Sequence, residues 1–125
     1  MGLLDGVMGN ASRVDPGAAT REYGRLLGQG EQIQAAYRLI RDVILFTNGR
    51  LIFVNKQGMT GKKVEYQSVP YRAITSFSVE TAGTFDLDAE LTVWVSGRPA
   101  PLSFKFGKGV DVYEVQAALA AYVAR

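Results

Sequence analysis

Between positions 87 and 95 every odd residue is apolar (Leu87, Ala89, Leu91, Val93, Val95), while the even positions hold Asp88, Glu90, Thr92 and Trp94. Successive side chains on a strand point to opposite faces, so this is a strand with one buried and one wet face. It closes a stretch, 61–95, that reads as three strands, two turns and a sharp change in charge. In 62–68 the apolar Val64 and Tyr66 fall two apart, separated from the wet side by Lys63, Glu65 and Gln67. Pro70 has no N–H to give a ladder and ends that strand, leaving 70–73 as a turn or short helical turn. The next strand, 74–81, alternates imperfectly, with Phe77 and Val79 expected on opposite sides. Residues 82–84 form the second turn.

The rest of the chain leads into this sheet or closes it. Leu3, Leu4, Val7 and Met8 recur at spacings of three and four, which predicts a short amphipathic helix diluted by Gly2, Gly6 and Gly9. Asp15-Pro16 places a capping carboxylate before a first-turn proline, so a second helix is expected to start there. Its stripe is Tyr23, Leu26 and Leu27, and it should run through Leu27 and stop at Gly28 or Gly30. From Glu31 the pattern is β: 33–40, a turn at Arg41-Asp42, then 43–47 and 50–54 around Asn48-Gly49. Asn-Gly between two apolar runs is a strong hairpin signal. Both hairpin strands are apolar on both faces. Either both faces are covered within the domain, or the outer one meets another subunit. After a turn at 97–100, Leu102, Phe104 and Phe106 mark a last strand. The chain ends in a helix whose one face carries Val112, Val115, Leu119 and Tyr122, with Asp111 and Glu114 in the first turn, where the helix dipole favours them. The expected domains are an N-terminal helical segment, 1–30, and a β domain, 31–125. Seven short strands capped by a C-terminal helix describe a mainly β (α+β) fold, a small barrel or bent sandwich plugged at one end.

Composition narrows function. The 125 residues contain no His and no Cys. That removes the commonest general base, the usual triad member, thiolate metal sites and disulfides together. A formal net charge of +2 gives no argument for nucleic acid. The start, MGLLDGVMGN, lacks a basic region and carries Asp5 in its apolar run, so no secretory signal is expected. Gly2 invites a myristoylation reading that Gly6, in place of Ser or Thr, weakens. The expected location is cytoplasmic.

The expected strand order resembles that of a pleckstrin-homology domain. The run TNGRLIFVNKQGMTGKKVEYQSVPYRAITSFSVETAGTFDLDAELTVWVSG resembles the bacterial pleckstrin-homology-like (PH-like) family, long catalogued as a domain of unknown function. The similarity extends from about Gly30 to the C-terminus and is densest at 58–66, 69–71 and 77–94; the MGLLDG start also resembles that family. The resemblance implies a seven-stranded, partly open barrel capped by the C-terminal helix. It further implies cyclic homo-oligomeric rings, pentameric for a chain with a single such domain, and protein binding at a hydrophilic surface where strands of neighbouring protomers meet. No enzymatic activity and no cofactor go with it. Lipid-binding relatives hold inositol phosphates with bases around the first hairpin loop. Here that loop is Leu39-Ile40-Arg41-Asp42, with one base beside one acid, and the C-terminal helix lacks the characteristic Trp. Phosphoinositide binding is not carried over.

The charges are segregated. Arg41, Arg50, Lys56, Lys62, Lys63 and Arg72 face only Asp42 and Glu65 in 41–72, whereas Glu80, Asp86, Asp88 and Glu90 follow with no base among them. A charge run is most often a solvated surface. The sharper alternative is head-to-tail assembly, basic edge against acidic edge. Asp86, Asp88 and Glu90 lack the kinked loop and terminal Glu of a calcium site, so no metal is expected. Gly58 to Lys63 misses phosphate-loop spacing and opens a strand rather than a helix. The polar partner surface is accordingly placed at Lys62, Lys63, Glu80, Asp86, Asp88 and Glu90. Subunit contact is placed at Trp94 and the doubly apolar hairpin (Val43, Leu45, Phe46, Ile52, Phe53), since Trp is enriched at interfaces. The alternative is a monomer binding anionic lipid or phosphorylated ligands through Arg50, Lys56, Lys62 and Lys63.

Overall fold

A computed structural model describes residues 13–39, 42–57, 63–81, 89–106 and 110–124. The amphipathic segment expected in 1–12 lies outside them. Among the described residues a two-residue strand β1 (Arg13–Val14) precedes helix α1 (Pro16–Tyr23) and a 3-10 turn (Gly24–Leu26). Then follow β2 (Ile33–Arg38), β3 (Val43–Thr47), β4 (Arg50–Gln57) and β5 (Lys63–Pro70). A 3-10 turn (Tyr71–Ala73) leads to β6 (Ile74–Thr81), β7 (Ala89–Val95), β8 (Leu102–Phe106) and helix α2 (Val112–Val123). All pairings are antiparallel, in a five-stranded sheet ordered β1-β2-β3-β4-β5 and a three-stranded sheet ordered β6-β7-β8. A single bridge, Leu39 to Phe106, ties the end of β2 to β8. The barrel is thus partly open, with β5 and β6 at the sheet edges.

The doubly apolar hairpin has an intrachain cause. Ile44, Phe46, Leu51 and Phe53 point inward, into a core shared with β7, β8, Val115 and Leu119 of α2. Val43, Leu45, Ile52 and Val54 point outward and are covered by Ala19 and Tyr23 of α1, with Val14, Leu26, Leu27 and Val64 around them. Burial of each such side chain stabilises the fold by about 1.5–3 kcal/mol, so neither face of β3 or β4 tolerates exposure. The subunit contact expected at Val43, Leu45, Phe46, Ile52 and Phe53 is therefore corrected: these five are buried by their own chain.

α1 begins as the sequence predicts. Asp15 caps it by accepting from the Ala18 N–H at 3.1 Å, and Pro16 occupies the first turn. It ends earlier than expected: at Gly24 the backbone tightens into the 3-10 turn, and Leu27 is already extended. α2 is capped by Asp111, which accepts from Tyr113 and Glu114 N–H. Glu114 does more than meet the helix dipole. Its Oε2 accepts from the Tyr37 hydroxyl at 2.7 Å and lies 3.3 Å from Arg13 Nη1. Further along, Tyr122 stacks on Tyr71 with ring centres 4.6 Å apart and donates its hydroxyl to Gln34 Oε1.

Two local readings are corrected. Phe77 and Val79 lie on one face, both packed against the inner core. The irregularity is a β-bulge between Ile74 and Ser76, which shifts Ile74 into phase with Phe77 and Val79 across from β7. The hairpin exists, but Gly49 does not take the positive φ of a tight Asn-Gly turn; among described glycines only Gly30 and Gly97 do, Gly97 at φ 87° inside the 95–98 turn. The Thr47 hydroxyl closes the hairpin loop instead, accepting from Gly49 N–H at 3.1 Å and Arg50 N–H at 3.0 Å.

Arg50 then locks the loop to the segment after α1. Its Nε and Nη2 donate to the two Glu31 carboxylate oxygens at 2.8 Å each, Nη2 also to the Leu26 carbonyl at 2.7 Å, and Nη1 to Ser68 Oγ at 2.6 Å. Glu31 accepts besides from Gly28 N–H and the Thr47 hydroxyl. The Arg50 hydrogen bonds outweigh burial and hold the Glu31 carboxyl down to about 2 from an ordinary 4.5. A carboxyl bound more weakly to its proton in the folded state stabilises the fold above its unfolded pKa and loses that contribution as pH falls. Urea midpoints should therefore decline between about pH 5 and pH 2, by a share on the order of 2 kcal/mol from this residue. Glu31→Gln should lower the midpoint at pH 6 and flatten that decline; an equally steep decline in the variant would assign it elsewhere.

Candidate functional site

Pairing fixes what the outer face of the three-stranded sheet carries. Opposed residues share a face, so β6, β7 and β8 present three rows: Ser76 opposite Trp94; Ser78, Thr92 and Ser103; Glu80, Glu90 and Lys105. The opposite face of β7 carries Ala89, Leu91 and Val93, all buried, as the alternation of 87–95 requires. Among the described residues the outer face thus carries small hydroxyls, three charges and one indole. Trp94 is 39% exposed. A side chain this large among Ser and Thr finds little to pack on, and it leaves apolar area in water that a partner could cover.

The expected polar residues separate in space. Glu80 and Glu90 face one another directly across β6 and β7, and Glu90 is flanked by Lys105 on the other side. Lys63 stands on the other sheet, at the far end of β5 opposite Gln57. Lys62, Asp86 and Asp88 lie outside the described residues. Like charges directly opposite in a ladder destabilise it, and this row holds Glu80 against Glu90.

Beside the free edge of β6, an opening of about 450 Å³ runs under the first turns of α2. It is lined by Phe77, Ser78, Val79, Thr81, Val112, Tyr113 and Gln116. Tyr113, 82% exposed, stands at its rim.

The basic set named for anion binding is also divided. The Arg50 guanidinium is occupied by Glu31, Leu26 and Ser68, leaving exposed Lys56 and Lys63 as the described members of that set with free reach. Sequence reasoning missed this pairing because its partners sit 19 positions apart and share no local pattern. It also placed Tyr66 on a buried face. α1 has eight residues, about 12 Å of helix, too short to cover β5 as well as β2–β4, and Tyr66 is 49% exposed. Buried hydroxyls elsewhere are structural. The Tyr71 phenol donates to the Thr47 carbonyl at 2.6 Å, and burial pushes it far above its usual range, keeping it a neutral donor.

The comparisons with known proteins agree with this architecture. The family model described as "Bacterial PH domain" matches residues 2–123. Uncharacterized protein YjqA of Bacillus subtilis (strain 168) is 52% identical over 122 residues, covering 97% of this chain and 98% of that protein. The pleckstrin homology domain of Shewanella amazonensis SB2B is 51% identical, with a TM-score of 0.82 over 97% of this chain and 98% of its own. A DUF1696 family protein with a pleckstrin-homology domain, from Shewanella loihica PV-4, is 52% identical, with a TM-score of 0.79 over 90% and 96%.

Replacing Glu80 by Gln removes the repulsion across the Glu80–Glu90 pair. The urea midpoint should rise by the equivalent of about 0.2–1 kcal/mol, more at low ionic strength than at high. An unchanged or lower midpoint at low salt would mean that the two carboxylates are already compensated.

Proposed function

This chain belongs to the bacterial PH domain family, and on that premise we propose that it is a non-catalytic cytoplasmic interaction module. It assembles into a cyclic homo-oligomer, a pentamer by family resemblance, and binds a protein partner on a polar surface at the strand edges. Exposed Trp94 on an otherwise hydrophilic sheet face carries this reading. An indole ringed by Ser76, Thr92 and Ser103 has the make-up of an interface anchor with a polar rim.

Two further observations support it. β5 and β6 both lie at sheet edges, and an unpaired edge offers a row of N–H and C=O groups for another chain. Their charge differs: β5 carries Lys63 with Glu65 two residues on, whereas β6 carries Glu80 with Glu90 beside it. Heterologous contact between unlike edges closes into a ring when the rotation permits. Repeated copies of one polar surface would let a weak partner contact gain avidity. The buried hairpin takes no part. Binding of anionic lipid as a monomer is the weaker reading, because Arg50, its central base, is paired internally.

Light scattering on the native protein should give one ring-sized mass. Trp94→Ser and the reversal Glu80→Lys should each shift that mass towards the monomer while leaving the far-UV circular dichroism unchanged. A monomer at all salt concentrations would refute assembly. A ring that withstands both substitutions would move the joint away from this face.

A further inference from the structure

A second cleft lies on the opposite sheet. One row across it reads Arg38, Val43, Val54 and Tyr66 on β2 to β5, all on the side that α1 covers. α1 crosses this face and ends at Tyr23, leaving a cleft of about 480 Å³ between the helix end and β5. Its lining is Arg21, Glu22, Tyr23, Arg25, Leu26 and Tyr66. The volume falls in the range of small-molecule sites.

Its chemistry has two halves. Tyr66, half exposed, and Leu26 supply the apolar part of the lining. Arg21 and Arg25 stand four residues apart at the helix end, and neither joins an ion pair among the described residues. The Arg21 guanidinium lies back along α1 towards Gly17, from where a flexible side chain can swing. Lys56, exposed, pairs with Val64 and so sits diagonally beside Tyr66 on the same face, within reach of it. Arg38 is near enough to favour the Tyr23 phenolate, although burial and Glu22 prevail and push that hydroxyl up to about 12. Glu22 is the one acid in the lining. Cations thus outnumber acids around an exposed aromatic ring.

We propose that this cleft binds a small phosphate ester carrying a planar ring, as a nucleotide does, with the ring on Tyr66 and the phosphate held by Arg25 and Arg21 and steered by Lys56. Guanidinium groups suit phosphate because they donate two parallel hydrogen bonds. Aromatic side chains stack on heterocycles without regard to their sequence of polar atoms. This site uses the face of β5 on the α1 side, whereas the subunit contact proposed above uses the edge of that strand, and its chemistry does not depend on that contact.

The probe is AMP, titrated calorimetrically into the native full-length protein, with adenosine and inorganic phosphate as separate arms. AMP should bind saturably, and each half-ligand should bind at least about tenfold more weakly. Arg21→Ala with Arg25→Ala should weaken AMP binding by about tenfold or more, and Tyr66→Ser should do the same. All three positions are exposed, so the fold should survive, as circular dichroism would verify; Arg72→Ala, on the turn between the sheets, should leave binding unchanged. No saturable heat with AMP at millimolar concentration would overturn the proposal. So would phosphate binding as tightly as AMP, since the ring would then contribute nothing.

Discussion

A sheet whose central strands are apolar on both faces must be covered twice. That constraint organises the molecule. β3 and β4 present Phe46 and Phe53 to the barrel interior and Leu45 and Ile52 to the outside. The second sheet and α2 cover the first face; α1 covers the second. Because α1 must be held against the strands, the segment behind it is fastened by Glu31 to Arg50 at the mouth of the very hairpin that needs covering. The Thr47 hydroxyl joins both tasks, shaping the hairpin loop and bonding Glu31. Hydrophobic demand in one element is thus met by a polar fastening in another.

The same arrangement decides which surfaces remain free. Cover buries Val43, Leu45, Ile52 and Val54 and stops short of Tyr66 on β5, which is left half exposed. On the other sheet the interior is filled by alternate residues of β7, and the outward positions need supply only solubility. Trp94 is the departure from that rule. The two exposed aromatics therefore have different origins. One follows from a helix too short for its sheet, the other from a large residue placed where a small one would suffice.

Local signals carried much of this into the sequence. The strict alternation of β7, the Asp15-Pro16 helix start, the Asn48-Gly49 hairpin and the stripe of Val112, Val115, Leu119 and Tyr122 are all periodic or contiguous, and each is where periodicity places it. What escaped was non-local or depended on a change of phase. The bulge between Ile74 and Ser76 exchanges faces within one strand, so counting by twos misplaces either Ile74 or its neighbours. The Glu31–Arg50 pair looks in sequence like one acid and one base in unrelated segments. Both apolar faces of the hairpin were visible, but not which body covers the outer one, because α1 carries only Ala19 and Tyr23 as buried contacts. At the candidate site, Glu90 and Trp94 could be placed on one face by parity alone, whereas Glu80 needed the register of β6 against β7. Lys63 could not be assigned a sheet without the fold.

The fastenings share a further property. Glu31 is moved down in pKa and Arg50 up, while Tyr23, Tyr37 and Tyr71 are moved up, and the sequence holds no histidine. Among the described residues, each of these perturbed ionisations is displaced away from neutrality, on whichever side it began. A modest acidification or alkalinisation of the surroundings consequently finds nothing in these contacts to switch. Protons are a poor messenger at these fastenings, which answer instead to whatever touches them.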